Sequence, residues 1–186
     1  MNTQAQKLPA FFLFALLYLV ALFLNKYLFA AWVYDGGVSL FYLPAGVKLM
    51  AIMVGGWPAL LGVCFVAVFH TLTFWPDSWL FALLFIAVWG GAPYACYQLC
   101  RRLLGIGADL SGVTGGRILV IGLALSYTTA AATQLTLFLA GKVDGALSLA
   151  KLAAMGFGDF AGIAACLGFA WLFRGYIRTQ ATKAVK

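Results

Sequence analysis

Two charged residues lie inside long apolar stretches of this chain, where charges are unusual. Lys48 stands within residues 42–50 and Asp159 within residues 156–162. In a helix surrounded by lipid, a charge at such depth costs on the order of 3 kcal/mol unless it is paired or solvated. Both residues lie at a similar distance from the ends of their apolar segments. Lys48 and Asp159 are therefore candidate partners in an intramembrane ion pair or in a ligand-binding site.

A less specific interpretation of the same two residues also stands. The long stem of Lys48 could carry its ammonium group to a membrane interface without a partner. Asp159 could be protonated, or hydrogen-bonded to the backbone. The sequence leaves both interpretations open.

Small residues and a proline accompany the two charges. Pro44 and Gly46 could break a helix and expose backbone groups to a ligand, or could produce a simple kink. Gly158 and Gly162 have the four-residue spacing that lets a neighbouring helix approach closely. We expect helix packing at this glycine pair, and the alternative is a cavity left by the small side chains.

Other reactive side chains form no recognisable constellation. The sequence contains no glutamate, and its cysteines (Cys64, Cys96, Cys100 and Cys166) lack the spacing of a zinc site. The sole histidine, His70, fits an interfacial anchor. Polar residues within the apolar segments fit interhelical hydrogen bonding: Gln98, Ser126, Thr128, Thr129 and Gln134. We therefore expect no enzymatic activity, no cofactor and no metal.

The elements that would position these residues are apolar segments long enough to cross a bilayer. Of 186 residues, 65% are hydrophobic and 9% are charged, and the mean hydropathy is +1.00. Because one membrane span takes roughly 20 residues, the composition predicts an all-α protein with a single transmembrane domain (1–186), a bundle of about six helices. The expected spans are 9–32, 38–54, 58–72, 79–100, 117–140 and 149–173.

The second and third spans are separated only by the turn residues Gly55-Gly56-Trp57-Pro58. Glycine and proline at adjacent positions are strong turn signals. We therefore expect a tight helical hairpin that returns the chain to the side it left. Its arms are short, so the sequence leaves open whether the hairpin crosses the membrane fully.

Lysine and arginine residues near the span ends indicate the orientation. With six spans, both termini share one side with Lys7, Arg101, Arg102, Arg117, Arg174, Arg178, Lys183 and Lys186, whereas Lys26, Lys142 and Lys151 lie on the other. Basic residues are enriched on the cytoplasmic side of membrane proteins. We expect both termini in the cytoplasm, a lipid bilayer as the main partner, and no nucleic-acid partner.

Two blocks of the sequence resemble MASE1, a family of bacterial membrane-associated sensor domains. The first joins Phe41-Tyr42-Leu43-Pro44-Ala45-Gly46-Val47-Lys48-Leu49 to Gly55-Gly56-Trp57-Pro58-Ala59-Leu60-Leu61-Gly62, and the second is Gly158-Asp159-Phe160-Ala161-Gly162. The resemblance implies a multi-pass module of the bacterial cytoplasmic (inner) membrane that passes an unidentified signal to kinase or diguanylate cyclase domains. This chain departs from the family in having fewer spans, Lys48 at a usually apolar position, and no output domain after its last span.

These observations predict a sensory or regulatory membrane module resembling MASE1. It would bind a small ligand near Pro44, Gly46, Lys48 and Asp159 and signal through a separate membrane or cytoplasmic partner. Two alternatives remain: a transport component, such as the six-helix substrate-binding subunit of a vitamin importer, or a structural subunit of a larger membrane complex.

Overall fold

The chain folds almost entirely into helices. The computed structural model describes residues 7–34, 38–107, 109–142 and 148–184. For residues 33–34 and 172–184 it describes the backbone but not the side chains. Lys186, one of the basic residues used to predict the orientation, lies outside these ranges. The elements in chain order are α1 (Lys7–Leu28), β1 (Val33–Tyr34), β2 (Val38–Ser39), α2 (Leu43–Met50), a π-helical segment (Ala51–Gly55), α3 (Gly56–Leu72), α4 (Trp79–Leu103), α5 (Gly115–Leu139) and α6 (Leu149–Ala184).

Five helical stretches are long and apolar enough to cross a membrane. They are Lys7–Leu28, Leu43–Leu72, Trp79–Leu103, Gly115–Leu139 and Leu149–Trp171. The all-α prediction is thus confirmed, but the count of about six spans is not. The second and third predicted spans join in one uninterrupted run of helical residues, Leu43–Leu72, because the π-helical segment connects α2 to α3 without an intervening loop.

The run Leu43–Leu72 nevertheless changes direction at its centre. Gly56 has φ +63°, a left-handed conformation that glycine adopts without steric cost. The Leu43 amide donates to Asn25 Oδ1, near the end of α1. Gly55 lies against Phe14, nearer the start of α1. Trp57 then lies beside Lys7, and Gly62 packs on the Phe11 backbone further along α1. Since α2 runs antiparallel to α1 and α3 runs parallel to it, the two form the predicted hairpin.

The bundle has two ends, which we name by the ends of α1. The Lys7 side holds the starts of α1, α3 and α5 and the end of α4. The Leu28 side holds the ends of α1, α3 and α5 and the starts of α4 and α6. Helices that follow one another from α3 onwards run antiparallel. For α3 and α4, two ring contacts show this direction: the centroids of Trp57 and Tyr94 are 5.2 Å apart, and those of Phe69 and Trp79 are 6.1 Å apart.

The first arm of the hairpin begins inside the bundle and not at its edge. The Tyr42 amide donates to the Gly158 carbonyl at 3.0 Å, and a Cβ on Gly162 would overlap the Tyr42 carbonyl. These glycines lie about 14 to 20 Å along α6 from its first residue, given a rise of about 1.5 Å per residue. The span predicted at 38–54 is therefore shorter than expected: residues 38–39 form β2 with β1, and α2 starts at Leu43.

Glycine at three positions allows this close packing of α2 on α6. A Cβ on Gly158 would overlap the Ser39 carbonyl, and a Cβ on Gly46 would overlap the Cys166 side chain. With Gly162, these residues place the backbones of the two segments in direct contact. The predicted packing role of Gly158 and Gly162 is thus what the geometry supports, and their partner is the chain that enters α2.

Large apolar side chains cover the outside of the bundle. Leu80 on α4 is 72% exposed, and Leu139 on α5 is 74% exposed. Water disfavours apolar surface of this extent, whereas acyl chains solvate it. The exterior therefore agrees with the composition in indicating a lipid environment.

Substitution of Gly162 by alanine tests the α2–α6 contact. The added methyl meets a backbone carbonyl that has no room to move, so we expect Gly162→Ala to lower the free energy of unfolding by about 1–3 kcal/mol. Gly168→Ala is the matched control, because nothing lies within 4 Å of its Cβ position on the same helix. It should be neutral or stabilise by up to about 1 kcal/mol. Equal thermal stability of the two variants in lipid nanodiscs would contradict this packing.

Candidate functional site

A cavity of about 470 Å³ enters the bundle from the Leu28 side. Side chains from α1, α3, α4, α5 and α6 and from the segment before α2 form its wall. They are Tyr18, Val38, Ser39, Tyr42, Ala67, His70, Thr71, Phe74, Trp75, Phe85, Ile86, Trp89, Thr129, Thr133, Gln134, Leu137, Lys142, Lys151, Met155 and Asp159. A volume of this size accommodates a small organic molecule.

Asp159 is the acidic residue of the described cavity wall. It lies about 15 Å along α6 from Leu149, given the helical rise of about 1.5 Å per residue. Its side chain is partly buried and contributes to the wall. Among the residues that the structure describes, no hydrogen bond or salt bridge reaches its carboxylate. Its oxygens are therefore open to whatever enters the cavity.

Two tyrosines border the same part of the cavity. The hydroxyls of Tyr18 on α1 and Tyr42 before α2 are 3.2 Å apart and form a hydrogen bond. Both hydroxyls lie close enough to Asp159 for its charge to act on them. The Tyr18 ring also packs edge-on against Trp89, with centroids 6.1 Å apart. Aromatic rings with polar tips thus surround the approach to the carboxylate.

Lys48 is buried within the bundle, with 3% of its surface exposed. Its Nζ donates to Thr129 Oγ1 on α5 at 2.9 Å and lies 3.9 Å from the centroid of the Trp89 ring on α4. An ammonium over an indole face gains about 2 kcal/mol or more when desolvated. These two contacts compensate much of the penalty of placing a charge at this depth.

The predicted partnership of Lys48 and Asp159 takes an indirect form in this structure. Both residues lie at the same cavity, Asp159 in its wall and Lys48 directly behind it. In the described ranges, however, they make no direct ion pair, since Lys48 turns to Thr129 and Trp89 instead. The alternative that Lys48 reaches a membrane interface does not describe this geometry either, because its ammonium ends inside the bundle.

Pro44 and Gly46 lie away from the cavity. Pro44 is almost fully buried in the first turn of α2, where its missing N–H leaves no intrahelical hydrogen bond unmade. Gly46 packs against Cys166 and the Gly162 carbonyl. Of the four predicted ligand-binding residues, Asp159 alone contributes to the cavity wall. Lys48 lies outside the cavity, behind its wall, where it contacts the wall residues Thr129 and Trp89.

The mouth of the cavity carries positive charge. Lys142, just beyond α5, places its Nζ 3.4 Å from Ser78 Oγ and 5.4 Å from the Phe81 ring centroid. Lys151 and His70 also line the wall. The histidine predicted as an interfacial anchor therefore lies on the route into the cavity.

The sequence did not predict three residues of the site, which are Tyr18, Tyr42 and Trp89. Each is an aromatic residue in an apolar segment, and aromatic residues are common in such segments for packing alone. Thr129 was predicted to form an interhelical hydrogen bond, and it does so with Lys48. Ser126, predicted in the same way, bonds instead to the Gly122 carbonyl of its own helix.

A metal centre has no support in the described part of the chain, which contains no group of three or more histidine, cysteine or acidic side chains placed to hold an ion. The four cysteines are unpaired and partly buried. The chemistry available at the cavity is that of one carboxylate, several hydroxyls, a glutamine amide, a histidine, two lysines near the mouth and aromatic faces. This set suits binding of an organic molecule.

Comparison with known proteins adds no family. No protein-family model, curated protein or solved structure matches this chain. The resemblance to MASE1 therefore remains a prediction from two short blocks of sequence. The geometry of the cavity is therefore the basis for assigning a function to this protein.

A double-mutant cycle tests the contacts of Lys48. Thr129→Val removes the acceptor of a buried ammonium, so we expect it to lower the free energy of unfolding by about 1–3 kcal/mol. In a Lys48→Met background that donor is gone, and the same substitution should change stability by less than about 0.5 kcal/mol.

Thr136→Val is the control for this cycle. Its hydroxyl bonds to the Ala132 carbonyl on the same helix and has no connection with Lys48. Its effect, measured by denaturant titration in detergent micelles, should be equal in the two backgrounds. A Thr129→Val effect that is also equal in both backgrounds would contradict the Lys48–Thr129 interaction.

Proposed function

We propose that this chain is a membrane-embedded receptor module that binds a small organic molecule in its cavity and regulates a separate partner protein. The observation that carries the proposal is the open carboxylate of Asp159 inside a cavity of about 470 Å³. A charge without a hydrogen-bonding partner at membrane depth is costly. Such groups in membrane proteins commonly mark ligand or ion sites, where the ligand supplies the missing contact.

The charge distribution supports an orientation for this receptor. Lys7, Arg101, Arg102 and Arg117 belong to the Lys7 side, and Lys26, Lys142 and Lys151 to the Leu28 side. By the preference of basic residues for the cytoplasm, the Lys7 side faces inward. In a bacterial cytoplasmic membrane, the cavity then opens toward the periplasm and samples external solutes.

The length of α6 supports a signalling role. This helix carries Asp159 in the cavity wall and continues to Ala184, beyond the apolar stretch that ends at Trp171. Its 36 residues span about 54 Å, whereas the hydrocarbon core is about 30 Å thick. One rigid element thus connects the ligand site to the Lys7 side of the membrane, where a kinase or cyclase partner would be contacted.

A substrate-binding subunit of an importer is the second candidate. It is favoured by the access of the cavity from the Leu28 side, as expected of a protein that captures a solute and delivers it to a transporter. The two functions share the binding step and differ in the partner. Co-purification in mild detergent should recover a signalling protein in the first case and an ATPase pair in the second.

Filling the cavity tests the binding step. Gln134→Trp would place an indole in the cavity, whereas Leu135→Trp adds the same ring on the next residue, which is 49% exposed on the outer surface. Native mass spectrometry of protein from nanodiscs should detect a retained small molecule in the wild type and in Leu135→Trp, and none in Gln134→Trp. Equal retention in both variants would place the ligand elsewhere, and no retention in any of the three would contradict the receptor.

Cysteine labelling tests the orientation. In a background with the four native cysteines replaced by alanine, Met155→Cys lines the cavity and Leu103→Cys lies on the Lys7 side, where Leu103 is 76% exposed. A membrane-impermeant thiol reagent added to spheroplasts should label the first variant. The second should react only after the membrane is opened. The reverse pattern would invert the proposed topology.

A further inference from the structure

We propose that the cavity selects ligands with a protonated amine, and that Asp159 receives the ammonium group. This inference rests on the proposed receptor function and names the ligand chemistry of the same site. An ionised carboxylate offers about four lone-pair positions, and the described residues supply no donor to any of them.

Lys48 lies near Asp159 but leaves the carboxylate of Asp159 without a hydrogen bond. Its side chain lies directly behind the cavity wall to which Asp159 belongs. Its ammonium, however, is bound to Thr129 and seated on the Trp89 ring. Asp159 in its ionised form is therefore an acceptor with free lone pairs. The missing component is a donor that arrives from the cavity.

The charge of an ionised Asp159 favours an ammonium donor over a neutral one at the deep end of the cavity, whereas the positive charge of Lys142 and Lys151 is confined to the mouth. An ammonium adds a Coulombic attraction to an ionised carboxylate that a neutral donor lacks, and this attraction is strong where water is scarce. The hydroxyls of Tyr18 and Tyr42 lie beside Asp159 and can accept further N–H groups. Aromatic faces also attract cations, and Trp89 already binds one in this protein. An anionic ligand group would meet repulsion at the same carboxylate.

The rest of the cavity indicates an apolar body for the ligand. Phe74, Trp75 and Phe85 line the wall between the mouth and Asp159, and they offer no hydrogen bond except the indole N–H. These rings favour a ligand with an aromatic or aliphatic body and one terminal amine, and Thr133 and Gln134 on the same wall could bond to a polar group of that body. Its amine would lie deepest, because Asp159 is far along α6 from the Leu28 side.

Three probes that share a phenyl ring and differ in the end group test this inference. They are 2-phenylethylamine, 2-phenylethanol and 3-phenylpropionate, each titrated by calorimetry against the full chain in nanodiscs at neutral pH. We expect the amine to bind about tenfold or more tightly than the alcohol, and the carboxylate to bind more weakly than both. Binding of the alcohol or the carboxylate as tightly as the amine would overturn the inference.

The variant Asp159→Asn assigns the effect to the carboxylate. We expect its affinity for the amine to fall to that for the alcohol, whereas its affinity for the alcohol stays within about twofold of the wild type. Asp77→Asn makes the same charge change on the Leu28 side, at an exposed residue outside the cavity wall, and should leave both affinities unchanged. A tenfold preference for the amine that survives Asp159→Asn would overturn the role of Asp159.

Two further measurements keep the inference testable on its own. If Asp159→Asn does not fold, the wild-type cavity can be probed through Met155→Cys, whose labelling the amine should slow more than the alcohol does at equal concentration. Equal protection would overturn the inference. If no probe binds but mass spectrometry detects a retained molecule without an amine, the inference fails while the receptor function stands; if no variant retains any molecule, both fail.

Discussion

The structure depends on how two opposite charges are accommodated at membrane depth without contacting each other. Lys48 obtains an acceptor from α5 and an aromatic face from α4, so its ammonium is satisfied by the protein. Asp159 faces the cavity and receives no hydrogen bond among the described residues. Because water is scarce in the bilayer core, this difference leaves Asp159 as the member of the pair that is available to bind a ligand.

Glycine contacts between α2 and α6 establish this asymmetry. Tyr42 and Leu43 lie directly on the backbone of α6 at Gly158 and Gly162, so α2 begins within the bundle. Lys48 then points toward α4 and α5, while Tyr42 remains beside Asp159. A side chain at either glycine would push α2 outward and change the wall of the cavity. Packing and binding therefore depend on the same few residues.

Some of this arrangement could be predicted from the sequence. The all-α architecture, the hairpin at Gly55-Gly56 and the importance of Lys48 and Asp159 follow from apolar runs, turn residues and the cost of buried charge. The Lys48–Thr129 bond could not be predicted, because its partners are 81 positions apart and several other polar residues could have served. The cavity could not be predicted either, since its wall combines ordinary residues from five helices and the adjoining segments, and no periodicity in the sequence reveals how those helices are rotated relative to one another.

The central claim is that Asp159 is an ionised acceptor open to the cavity. Infrared difference spectroscopy on protein containing ¹³C-labelled aspartate tests it most directly, with Asp159→Asn used to identify the band. We expect an ionised carboxylate band from Asp159 in bilayers that shifts when 2-phenylethylamine is added. A protonated Asp159 in the ligand-free protein, or an ionised band that the bound amine leaves unchanged, would contradict the account.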